Sequence, residues 1–136
     1  MKIYLISYLC AVVAFLVLDG LWLGLVAKNF YAEQMGELLR PDFLVLPASA
    51  FYLAYTAGLV FLAVRPMNPE IALTDVALYG AIVGFLAYGT YDMTNLSTVR
   101  GWPPLMSVVD LAWGTVLSAS VATISAVSVR YFTSVH

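Results

Sequence analysis

Charge is missing from four long stretches of this chain, at residues 3–18, 43–64, 76–91 and 111–129. A helix needs about 20 residues to cross a hydrocarbon core of about 30 Å. Past Asp19 the first stretch resumes without charge from Gly20 to Ala27. The third gains 71–74 upstream and the fourth gains 105–109, so all four reach spanning length. None alternates apolar with polar positions as barrel strands do, which leaves helices to satisfy the backbone in lipid. The pattern predicts spans over about 3–26, 43–64, 71–93 and 105–129.

The connections are of three kinds. Residues 28–40 mix Lys28, Glu33, Glu37 and Arg40 with Phe30, Tyr31, Met35, Leu38 and Leu39. That mixture predicts an interfacial amphipathic helix that continues the first span and stops at Pro41. Residues 65–70 carry two prolines and read as a short turn. Residues 95–104 end in Trp102-Pro103-Pro104, an interfacial anchor on a stiff turn. Short connections make neighbouring helices antiparallel. Both termini then lie on one face, and Asp19, Asp92 and Asp110 gather in the opposite half of the bilayer. Lys2 before an apolar run imitates a signal peptide, but no small-residue cleavage site follows and Asp19 interrupts the run. The segment is expected to be a mature first helix. Pro47 reads as structural near a helix start, and Ala77, Gly80 and Gly84 as a close-packing face.

Composition agrees with the pattern. The chain is 62% hydrophobic and 10% charged, with a mean hydropathy of +0.92. A soluble domain carries about 25% charged residues. The expected architecture is all-α: one integral membrane domain over 1–136, a bundle of four transmembrane helices plus an interfacial helix. A net charge of -2 gives no case for a nucleic-acid partner. The lipid bilayer is the expected surrounding. The one cysteine, Cys10, builds neither a disulfide nor a thiolate site. The one histidine, His136, reads as a frayed terminus, so neither haem nor zinc is expected, and the cofactor is left open.

Candidate chemistry rests on the three aspartates. An ionisable side chain within a span costs about 2.5–3.5 kcal/mol on insertion scales and marks a site by default. Asp19 and Asp110 each precede a tryptophan by three positions, in Asp19-Gly20-Leu21-Trp22 and Asp110-Leu111-Ala112-Trp113. Trp22 and Trp113 then share a helical face with their aspartates, and an indole N–H can donate to a carboxylate or wall a cationic ligand. Helical spacing also stacks Tyr88, Tyr91, Asp92 and Asn95 on one face, with Asp92 read as the carboxylate nearest water. Tyr52 and Tyr55 put a phenol face on the second span. The structural alternative for each is a packing or capping role. If a metal is held, Asp19, Asp92 and Asp110 supply its oxygen ligands.

These elements together resemble an uncharacterised, domain-of-unknown-function family of small bacterial membrane proteins. The matching segments are Leu18-Asp19-Gly20-Leu21-Trp22-Leu23-Gly24, Pro47-Ala48-Ser49-Ala50-Phe51-Tyr52-Leu53, Tyr88-Gly89-Thr90-Tyr91-Asp92-Met93-Thr94-Asn95 and Asp110-Leu111-Ala112-Trp113-Gly114. The resemblance implies a four-helix protein of the inner membrane whose aspartates, tryptophans and Asn95 form one site. It implies no activity.

The leading expectation is binding or transport of a small cationic or polar substrate. Clustered carboxylates repel, so at least one is expected to exchange a proton, which would permit proton coupling. Four spans are few for an alternating-access cavity, so a homodimer is expected. Two rivals stand beside this reading. One is a magnesium-dependent membrane enzyme acting on a lipid or isoprenoid, with only Lys28, Arg40 and Arg100 near a diphosphate. The other is an accessory subunit whose aspartates pair with a partner membrane subunit. Basic residues divide evenly between the faces. The positively charged amino terminus favours cytoplasmic termini in a bacterial inner membrane.

Overall fold

The computed structural model describes residues 1–42 and 44–134. His136, and Phe43 at the expected start of the second span, lie outside the described residues. Helix α1 (Lys2–Leu21) runs on as a π-helical turn, Trp22–Val26. Helix α2 (Lys28–Met35) ends in a 3-10 turn, Gly36–Leu38. Helix α3 (Val45–Leu59) also runs on as a π-helical turn, Val60–Val64. Helices α4 (Leu73–Thr98) and α5 (Pro104–Ser134) complete the chain. Four helices are long and apolar enough to cross a membrane, and there is no strand among the described residues.

Several boundaries depart from the sequence reading; α5, for one, runs to Ser134, past the expected residue 129. The interfacial helix is not a smooth continuation of α1, because Ala27 at φ -112 and ψ 9 breaks the helical path between them. It ends at Gly36 rather than Pro41. Gly36 has φ 53, a backbone region that a Cβ disfavours. Helix α4 runs past the expected residue 93. Ser97 and Thr98 turn their hydroxyls back onto the carbonyls of Met93 and Thr94, both at 2.8 Å. Polar residues at a helix end thus bond within the helix instead of stopping it.

Helix α5 lies at the centre, packed most extensively on α4 and next on α1. The glycines of α4 make that closeness geometrically possible. A Cβ on Gly80 would stand 2.8 Å from the Ser118 carbonyl oxygen, and one on Gly84 would overlap the Gly114 carbonyl. Without those methyls, the α4 and α5 backbones approach as small-residue faces do in membranes. On the other flank the Ser125 hydroxyl donates to the Ser7 carbonyl at 2.8 Å, tying α5 to α1. Phe15, Leu59, Val64, Val76, Leu117 and Val121 fill the space between. Helix α3 reaches α4 chiefly through its terminal π turn, Val60–Val64. Beyond that turn a cleft opens between the two helices.

Candidate functional site

The carboxylate of Asp19 projects from the last turn of α1 and is 8% exposed. Both its oxygens are occupied. Trp113 Nε1 of α5 donates to Oδ1 at 3.0 Å, and the Tyr52 hydroxyl of α3 donates to Oδ2 at 3.0 Å. One side chain therefore fastens three helices. Hydrogen bonds to a charged acceptor are the strong kind, which is how a carboxylate is tolerated at this depth.

Asp110 is held in a different way. The Tyr31 hydroxyl of α2 donates to its Oδ1 at 2.9 Å and itself accepts from Trp22 Nε1 at 3.1 Å. The indoles of Trp22 and Trp113 stack with centroids 4.4 Å apart and planes 8° from parallel. Each Asp-x-x-Trp element thus serves the other. Trp113 donates to Asp19, and Trp22 supports Asp110 through Tyr31. The sequence reading allowed each indole to donate to the aspartate on its own face; the structure crosses them. Burial raises the Tyr31 phenol well above its ordinary range, and the neighbouring Asp110 charge adds to that. The phenol therefore stays a donor.

Asp92, expected to be nearest water, is the most deeply enclosed of the three at 0% exposure. Tyr88 and Gly84, four and eight residues earlier in α4, face α5, and the same helical stripe turns Asp92 inward. Neither of its oxygens meets a donor among the described residues. Its carboxyl stands within hydrogen-bonding reach of the Asp110 carboxyl.

Asp110 also lines a cleft of about 360 Å³ between α3 and α4, with Phe51, Tyr52, Tyr88 and Tyr91 among its other walls. The Tyr88 ring rests on Gly114 of α5, where a Cβ would overlap it, and meets Tyr55 edge-on at 6.2 Å. Tyr55 in turn shares a 2.6 Å hydrogen bond with Ser118. Phe51 and Tyr91 flank the cleft and are 51% and 54% exposed. Tyr91 sets its ring against Trp102 of the α4–α5 connection.

Seven of the eight residues singled out from the sequence thus gather here: Asp19, Trp22, Tyr88, Tyr91, Asp92, Asp110 and Trp113. Asn95 is half-buried; it makes no hydrogen bond to this network and does not line the cleft. The three aspartates do not converge as a metal-binding triad. Among the described residues no three His, Cys, Asp or Glu side chains could hold a metal ion together. Tyr31 is the residue the sequence reading missed. It sat among apolar residues of an interfacial helix, and nothing in its spacing pointed to Asp110. Tyr52 was legible only as part of a phenol face.

Four spanning helices with carboxylates buried between them define a polytopic α-helical membrane protein. The family described as "Predicted membrane protein (DUF2177)" matches residues 4–127. The chain belongs to that family. No curated protein and no solved structure matches it.

Proposed function

We propose that this protein binds a small organic cation in the cleft between α3 and α4 and carries it across the membrane. The observation that carries this reading is the make-up of the cleft: walls of Phe51, Tyr52, Tyr88 and Tyr91, with the Asp110 carboxylate and no lysine or arginine among the described residues that line it. Aromatic faces attract a cation by about 0.5–2 kcal/mol, most strongly when it is desolvated. A carboxylate at this depth supplies the opposite charge, and an anion would meet repulsion there. The volume of about 360 Å³ falls within the roughly 300–1,000 Å³ typical of small-molecule sites.

Depth supports an amphiphilic ligand. Ala48 to Tyr52 lie in the first two turns of α3, roughly 5–10 Å from its start at about 1.5 Å per residue. The half-exposed rings of Phe51 and Tyr91 flank the cleft at acyl-chain depth, so an apolar tail can stay in lipid while the cationic head reaches Asp110. In this reading the membrane is a bacterial inner membrane, the termini are cytoplasmic, and two copies assemble to give the substrate a path.

The test is equilibrium binding of benzyltrimethylammonium to the purified protein, followed by uptake of the same ion into proteoliposomes. Binding should saturate in the wild type and in Asp75→Asn, an exposed change in the first turn of α4. It should fall at least tenfold in Asp110→Asn. Equal binding by wild type and Asp110→Asn would sink the proposal.

A further inference from the structure

Among the described residues, Asp92 is the one buried side chain that the hydrogen-bond network leaves unexplained. Both its oxygens are enclosed and meet no donor among the described residues, although the phenols and indoles nearby satisfy Asp19 and Asp110. An ionised carboxylate without a donor or a counter-charge is among the most costly groups to bury. A neutral carboxylic acid needs only one acceptor for its O–H. The Asp110 carboxyl is within reach, and only its Oδ1 is taken by Tyr31.

We infer that Asp92 and Asp110 form an acid–carboxylate pair that binds a single proton, with Asp92 as the neutral acid donating its O–H to an ionised Asp110. The order follows from access. Asp110 already accepts from Tyr31 and faces the cleft, which suits the charged member. Asp92 is sealed and has no other partner, which suits the neutral one. Among the described residues, the titratable groups coupled to the pair are all carboxyls or phenols: Asp19 from α1, Tyr31 from α2, Tyr52 from α3, and Tyr88 and Tyr91 from α4. No neighbouring cation among the described residues is coupled to Asp92, and two like charges in contact resist joint ionisation. The pair therefore presents one negative charge to the cleft, aimed from both sides by O–H donors. This deepens the cation-binding proposal: Asp92 is a positioning residue for Asp110, and the proton it holds is part of the binding site.

Infrared spectroscopy of the membrane-reconstituted protein at neutral pH reads the proton directly, with no ligand present. A carbonyl stretch of a buried protonated carboxyl is expected in the wild type. It should vanish in Asp92→Asn and shift but persist in Asp110→Asn, whose amide oxygen still accepts. Absence of the band, or its survival in Asp92→Asn, overturns the inference whether or not any cation binds. Benzyltrimethylammonium binding supplies the second readout. Asp92→Asn keeps an N–H donor and should bind within about threefold of wild type. Asp92→Leu keeps the volume but cannot donate and should bind at least tenfold more weakly. Weak binding in both variants overturns the positioning role. If the band behaves as expected while no variant binds the cation, the proton site stands and the transport reading fails.

Discussion

Replacing Gly114 with alanine tests the junction on which the cleft is built. The added methyl would overlap Tyr88 at Cγ, Cδ1 and Cδ2. Carbon atoms rest at about 3.5–4.0 Å, so the ring has to withdraw by roughly 1 Å or more. The atoms struck are at the base of the ring, so a small swing of its tip gives no relief. Tyr55 stands edge-on to Tyr88, and the Gly84 contact one turn earlier fixes the spacing of α4 and α5. Either the two helices part or Tyr88 leaves its rotamer, and overpacking of this kind costs about 1–3 kcal/mol. Alanine also gains up to about 1 kcal/mol over glycine as a helix former. The steric term wins, and a net loss of about 1–2 kcal/mol is expected. Gly58→Ala is the control: a Cβ there meets nothing within 4 Å, so only the favourable term applies. Thermal unfolding of the purified variants in one detergent, read by tryptophan fluorescence, should place Gly114→Ala below wild type and Gly58→Ala at or above it. Because Tyr88 walls the cleft, benzyltrimethylammonium binding should weaken in Gly114→Ala alone. A Gly114→Ala protein as stable as wild type, with binding intact, would refute the close approach of α4 and α5 described here.

Two further expectations rest on separate parts of the fold. The Asp19 fastening should behave as one unit: Tyr52→Phe and Trp113→Phe each remove a donor to a charged acceptor, worth about 1.5–3 kcal/mol. In a double-mutant cycle with Asp19→Asn their losses in thermal stability should be strongly non-additive; simple additivity would mean that the three do not share one bonded cluster. Orientation is read by Ser97→Cys in a Cys10→Ala background. Ser97 is exposed near the end of α4, so an impermeant thiol reagent should label it on intact cells, and labelling only after lysis would reverse the proposed topology.

Much of this protein is legible in its sequence because lipid leaves the chain few choices. Uncharged runs of about 20 residues have to be helices, and short turns have to reverse them. That arithmetic alone brings Asp19, Asp92 and Asp110 to one end of the bundle. The Asp-x-x-Trp spacing likewise marks Trp22 and Trp113, since three residues is nearly one helical turn. What the sequence cannot carry is rotation of the helices about their axes and the pairing that follows. The spacing set Tyr91 and Asp92 on one helical face, so it was not readable that Asp92 turns inward while Tyr91 turns outward. Nor was it readable that Trp113 serves Asp19 or that Tyr31 of α2 reaches Asp110. Those were decided by contacts between helices: Gly80, Gly84 and Gly114 set how closely α4 and α5 approach, and that spacing determines which polar atoms meet and which, on Asp92, are left with only another carboxyl.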